Sequence, residues 1–208
     1  MIPFNYLGPL FKFFGPNVYP EAFRRGLAEL LSGLAPGDAI LDVGAGTGVF
    51  TRLIREVRQD LRICSLDPAL GMLRYAPPSA ARVMGIAEHL PFGNSLFKAV
   101  LMGDTVHHVG NPTGAVLEMK RVLKEKGTIV IFDIDPGTVL GRVVTYGEKI
   151  FGEPAHFFSP ERIVELLQTC GLRGQIRRYD WRYAVFAGVS DDGLSVHNQG
   201  APRLESLQ

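Results

Sequence analysis

The sequence predicts an α/β fold built on a doubly wound, mostly parallel sheet, and three observations predict it. Short apolar runs rich in β-branched residues alternate along the chain with amphipathic stretches at helical spacing. The first of these runs, carrying Ile40, Leu41 and Val43, opens straight into three alternating glycines, Gly44, Gly46 and Gly48. A second run over 61–66 ends in Asp67, about twenty residues on, where a nucleotide-binding βαβ unit places the carboxylate that accepts ribose hydroxyls.

Each element follows from local pattern. Residues 1–20 carry Phe4, Tyr6, Phe11, Phe13, Phe14 and Tyr19 among prolines and glycines, a segment suited to packing over the edge of the domain. Phe23, Leu27, Leu30, Leu31 and Leu34 form the stripe of a helix over 21–34, ended by Pro36 and Gly37. After the first strand the glycines let main-chain N–H groups approach a ligand. Thr47 is the expected N-cap of a helix through Val49, Leu53, Ile54 and Val57. Behind the second strand Pro68 is expected in the first turn of a short helix containing Leu70, Met72 and Leu73, which Pro77 and Pro78 end. Strands are expected over 81–86 and 99–102, then an inward-facing helix over 112–124 through Ala115, Val116, Met119, Val122 and Leu123. Gly127 supplies a turn before a continuous apolar strand over 128–134. Val139, Leu140, Val143, Val144, Ile150 and Phe151 suggest another helix; Ser159 and Pro160 cap and start the next; 172–179 and 182–189 close a hairpin at Asp180 and Trp181. From Ser190 the polar, unpatterned sequence reads as a tail.

Composition narrows the function classes. With 208 residues and 46% apolar content the chain fits one domain with a substantial core. Lys plus Arg at 22 against Asp plus Glu at 21 leaves no charge excess for extensive nucleic-acid binding. Cys64 and Cys170 lie in expected core positions, as buried thiols of a reducing compartment do. The five histidines have no CxxC or HExxH company, so no metal site is expected. Neither a signal peptide nor a bilayer-spanning run is legible, and the expectation is a soluble cytoplasmic protein.

Ligands of open parallel sheets bind beyond the carboxyl ends of the strands. Gly103, Asp104, His107 and His108 therefore belong beside the glycine loop and Asp67. Asp104 and His107 are the catalytic candidates, as base or orienting group, with Asp104 equally able to position an amino-acid part of a ligand. His108 reads as structural, and Asp133 and Asp135 could touch an acceptor or cap the loop after their strand, the cap being favoured.

The ordered set of motifs resembles a known family. DVGAGTG with Asp67 downstream, GIAEHLPF over 85–92, FKAVLMGDTVHHV over 97–109, AVLEMKRVLKEKGTIVIFD over 115–133 and FSPERIVELLQTCGL over 158–172 are similar to the class I S-adenosylmethionine-dependent methyltransferases. Within them the chain is closest in pattern to the subgroup of ubiquinone and menaquinone biosynthesis enzymes. The resemblance implies a Rossmann-like methyltransferase fold of seven strands with the last antiparallel. It divides the chain into a cap and helix over 1–38, an S-adenosylmethionine-binding domain over 39–189, and a flexible tail over 190–208. It places cofactor binding on Asp42, Gly44, Ala45, Gly46, Gly48, Asp67, Pro68, Met72, Ile86, Ala87, Glu88 and Gly103, with Met72, Ile86 and Ala87 enclosing the adenine. Ile86 stands where the subgroup commonly has an aspartate for the adenine amine, which shifts that recognition to the backbone at Ala87 or to Glu88. Lys98 replaces an aspartate at a structural position. The family also uses its N-terminus as a cap over cofactor or acceptor.

The expected activity is methyl transfer to a small apolar or aromatic acceptor. A nicotinamide-dependent oxidoreductase would share the strand, glycines and Asp67, but GxGxG is not the dinucleotide spacing and no Tyr-x-x-x-Lys set is present. A non-catalytic S-adenosylmethionine-binding module is the other alternative, motivated by Ile86. The acceptor and the oligomeric state are not legible in the residues.

Overall fold

The structure is a computed structural model that describes residues 19–150 and 156–189, with the backbone alone for 148–150. Of the expected aromatic segment over 1–20, residues 1–18 lie outside the described residues, as does the tail over 190–208. Helix α1 (Glu21–Ser32) leads into β1 (Ala39–Val43), α2 (Val49–Val57), β2 (Arg62–Asp67), the single turn α3 (Leu70–Leu73) and β3 (Ala81–Met84). Then come β4 (Phe97–Gly103), α4 (Pro112–Val122), β5 (Leu123–Ile134), α5 (Val139–Ile150), α6 (Pro160–Thr169), β6 (Leu172–Tyr179) and β7 (Arg182–Val189). The seven strands form one sheet in the order β3-β2-β1-β4-β5-β7-β6. All neighbours run parallel as far as β5; β7 runs antiparallel to both β5 and β6. The doubly wound sheet with an antiparallel last strand is thus as expected.

Alternation along the strands builds two cores. Ile40, Ile63, Leu101, Val130 and Phe132 face one side, against Phe23, Leu27 and Leu31 of α1 and Phe50, Leu53 and Ile54 of α2. Leu41, Leu66, Val100, Met102 and Ile131 face the other, against Ala115, Val116 and Met119 of α4 and Ile163 and Leu167 of α6. Both faces are covered, which is why the central strands are apolar along their whole length.

Local structure departs from the sequence pattern at five places. Helix α2 is capped by Gly48 at φ 77, not by the Thr47 side chain, because the third glycine makes the left-handed exit from the loop. Pro68 precedes the short helix instead of starting it, and Ala69 takes the N-cap. Helix α4 stops at Val122, and β5 begins at Leu123. Pairing Phe97 with Leu123 and Ala99 with Thr128 leaves the intervening residues of β5 as a bulge, with Lys126 at φ 55, so Gly127 lies inside a distorted strand. Fourth, β3 ends at Met84 and Ile86 forms an isolated bridge with His89. Finally, α5 exists, but its apolar residues are not core: Val139, Leu140, Val143 and Tyr146 are all exposed. No helix among the described residues is long and apolar enough to cross a membrane.

Candidate active site

The carboxyl ends of β1, β2 and β4 hold the predicted residues together. Gly44, Gly46 and Gly48 all adopt left-handed backbone, at φ 68, 52 and 77. At Gly44 a side chain would be doubly penalised, since a Cβ would overlap the side chain of Thr105. Thr105 exploits that gap: its hydroxyl reaches the carbonyls of Gly44 at 3.1 Å and Gly103 at 2.8 Å, tying the glycine loop to the end of β4. At Gly48 a Cβ would run into Pro77 and Ala76. The loop is closed from below by Ala45, whose N–H donates to Leu66 O at 3.0 Å.

Asp67 ends β2 and stands against this loop. Its Oδ2 accepts the Gly46 N–H at 2.7 Å and its Oδ1 the Ala69 N–H at 2.7 Å. Burial pushes its pKa up, while the two amides hold it down. Asp42 is sealed beneath the loop at 1% exposure and accepts the Thr51 hydroxyl at 2.7 Å; Thr51 in turn meets Ser65 at 2.8 Å. Burial raises the Asp42 carboxyl to about 7. Asp42 therefore acts on the loop through the first turn of α2.

The remaining cofactor candidates ring the ends of β2 and β3. Met72 is buried, and a Cβ on Gly46 would sit 3.6 Å from its Cε, so its thioether borders the loop. Ala87 is buried, Ile86 is exposed, and Pro68 is exposed just beyond Asp67. Glu88 is directed elsewhere: its Oε1 accepts the Asn111 N–H at 3.1 Å, at the start of α4. Leu70, exposed at 60% one strand over from Ile86, is an apolar wall that the sequence pattern did not single out.

At the end of β4 two charged groups organise the site. His107 is buried at 2% exposure, with Nδ1 2.7 and 2.8 Å from the two oxygens of Asp133, whose Oδ1 also accepts the Ile134 N–H. Phe157 stacks on the His107 ring at 4.3 Å, and the exposed His108 packs at 4.0 Å. Asp133 is thus a partner of His107, not the loop cap expected; Asp135 does cap its loop, accepting the Gly137 N–H at 2.8 Å. Asp104 has left-handed backbone at φ 48, and both its oxygens meet Arg182 Nη1, at 3.1 and 2.9 Å. Burial raises the Asp104 carboxyl and the Arg182 charge opposes the rise. Tyr19 lies buried against Phe50 and Phe132, and a Cβ on Gly103 would approach its hydroxyl to 3.0 Å. Arg182 had no motif to mark it, and Thr105 and Tyr19, though inside quoted segments, were not singled out for the site. The one available signal for Arg182 was topological: a residue opening an antiparallel strand lies where its parallel neighbours end.

Among the described residues no group of His, Cys, Asp and Glu could hold a metal. The cradle instead fits a nucleoside with an amino-acid end. It offers amides and side-chain-free backbone in the loop, a carboxylate for vicinal hydroxyls, apolar walls, and Arg182 Nε buried with no hydrogen-bond partner.

Comparison with known proteins agrees with that geometry. Residues 41–131 match a family described as a methyltransferase domain. The chain is 28% identical over 180 residues to a malonyl-[acyl-carrier protein] O-methyltransferase of Hahella chejuensis, covering 81% of this chain and 64% of that protein. It is 34% identical over 109 residues to a demethylmenaquinone methyltransferase of Renibacterium salmoninarum, covering 51% of this chain and 45% of the relative. The chain thus spans less than two thirds of either relative's length. A Thermotoga maritima S-adenosylmethionine-dependent methyltransferase shares the fold at a TM-score of 0.66 and 21% identity, over 90% of this chain and 99% of that one.

Proposed function

We propose that this chain, whose residues 41–131 match a methyltransferase-domain family, is a class I S-adenosylmethionine-dependent methyltransferase that methylates a small apolar or aromatic acceptor. The observation that carries the reading is Asp67, whose buried carboxylate joins the end of β2 to the glycine loop and lies where ribose hydroxyls would replace or share its amide partners. Gly44, Ala45, Gly46 and Gly48 would hold the methionyl and ribose parts, and Met72, Ile86 and Ala87 the adenine. Bound S-adenosylmethionine supplies a methyl group already activated on a sulfonium, open to in-line displacement. The chain's residues then need only align the acceptor in a dry pocket, which is worth up to about 7–11 kcal/mol.

An acceptor that must lose a proton needs a base, and His107 is the candidate for it, supported by the Asp133 carboxylate 2.7 Å from its Nδ1, which would stabilise an imidazolium. Asp104 has the aligning role at the same edge. The exposed apolar face of α5, with Tyr146, supports an apolar acceptor because α5 begins just after β5 delivers Asp133.

The test is an acceptor screen with labelled S-adenosylmethionine over phenols, carbon acids, amines and lipids. His107→Gln should lower turnover of a phenol by about 10²–10⁴-fold and spare an acceptor that loses no proton in the transition state. Methylation of basic peptide or RNA alone would refute the acceptor class.

A further inference from the structure

Beyond Asp67 the base end of the nucleoside cradle is almost without acids. Residues 68–95, which supply α3, β3 and the loop after it, contain one acidic side chain, Glu88. Its carboxylate is spent on α4: Oε1 accepts the Asn111 N–H at 3.1 Å, at the start of that helix, where the helix dipole favours a negative charge. The same helix fastens the loop that carries Glu88. Glu118 accepts the Leu90 N–H at 2.8 Å, and Arg121 donates to Leu90 O at 3.1 Å and to Phe92 O at 2.8 Å. Glu88 is thus held away from a base by both its own bond and the anchoring of its loop.

The side chains at the base edge are hydrocarbon and thioether instead. The Gly85 N–H donates to Asp67 O at 3.3 Å, which sets Ile86 one residue beyond the carboxylate assigned to the ribose. Ile86 is 44% exposed, Met84, in register with Asp67, is 64% exposed, and Leu70 of α3 is exposed one strand over. An edge this apolar and open neither bonds an exocyclic amine nor closes around it. A site that hydrogen-bonds a ligand N–H rejects the analogue lacking it by about 10⁴–10⁵-fold, whereas an apolar wall discriminates by only about 10–200-fold.

We propose that the nucleoside subsite leaves the 6-position of the purine unread and open, so that the chain takes a cofactor whose 6-amino group is absent or carries apolar substituents. This rests on the methyltransferase reading and deepens it: Asp67 anchors the ribose, while Ile86, Met84 and Leu70 set the specificity of the base end. Alkyl groups on the amine lie over these exposed side chains and displace water from an apolar surface, which favours binding.

Calorimetric titration of the full chain with three ligands tests this: S-adenosylhomocysteine, its analogue with hydrogen at the 6-position, and its 6-dimethylamino analogue, which has no N–H to donate there. All three should bind wild type within about 10-fold of one another. Ile86→Asp supplies a charged acceptor at an exposed position; it should tighten S-adenosylhomocysteine about 10-fold and tighten neither analogue. A wild-type loss greater than about 10-fold for either analogue would overturn the proposal, because the 6-amino group would then be bonded or enclosed. Equal shifts of all three ligands in Ile86→Asp, or no shift, would overturn it too by removing Ile86 from the base edge. Wild-type protein that binds none of the three would overturn the methyltransferase reading itself.

Discussion

Replacing Asp67 by Asn separates what the carboxylate does for the protein from what it does for the ligand. In the structure both carboxylate oxygens accept a main-chain N–H, from Gly46 and Ala69, each at 2.7 Å. An asparagine keeps the volume but has one acceptor oxygen, so one amide loses its partner and faces an NH₂ group. Leaving a buried donor unsatisfied costs about 1–3 kcal/mol. In a chain of this size that lowers the melting temperature by roughly 2–4 °C per kcal/mol. Cofactor binding loses a second, separate quantity, since ribose hydroxyls would no longer donate to a charged acceptor. That loss is about 1.5–3 kcal/mol, or about 10–150-fold in affinity. Melting curves of the free protein give the first number and titration with S-adenosylhomocysteine the second. A variant that melts early yet binds S-adenosylhomocysteine as well as wild type would refute the assignment of Asp67 to the ribose.

Three other expectations follow from the same geometry. Gly44→Ala should abolish measurable cofactor binding, and adding Thr105→Ala should restore part of it by removing the overlap; the left-handed backbone would still cost about 1–2 kcal/mol, measured by chemical denaturation. Asp42 carries a folded-state carboxyl raised to about 7, above its ordinary 3.8, so the native protein holds that proton more tightly and stability falls as pH rises between the two values. Asp42→Asn should remove this decline, so its melting temperature should gain on wild type from pH 4 to pH 7, and parallel curves would refute the linkage. Ser159→Ala removes the cap that accepts the Arg162 N–H at 3.3 Å and should cost about 0.5–2 kcal/mol while leaving cofactor affinity untouched.

The parts of the site legible in the sequence were those with short-range causes. A strand that must turn at once into a helix calls for the left-handed glycines, and Asp67 is spaced from them by one helix and one strand, so both lie in consecutive residues. The hairpin over 172–189 was equally plain, because its alternation and turn are local. Pairings made by the packed sheet were not legible. His107 meets Asp133 across 26 residues and Arg182 meets Asp104 across 78, and no periodicity in either segment announces the other. The apolar stripe of α5 was read as helix correctly, but period alone does not say whether a stripe faces a core; here it faces outward. The cap of α2 went to Gly48 over Thr47 because the loop needed a positive φ at that step more than a side-chain acceptor.

The reversed direction of β7 has a consequence for the order in which a newly made chain becomes competent. Had that strand run parallel, its first residue would lie at the opposite edge of the sheet, far from the glycine loop. Because it runs backwards, Arg182 opens the strand opposite Ile134, beside Asp104. A nascent chain that has emerged only as far as Ile134 already holds the glycine loop, Asp67 and Asp104 but lacks their cation. The ion pair at the end of β4 is therefore closed only by the last strand of the sheet, so its two charges meet only after the whole sheet has been made.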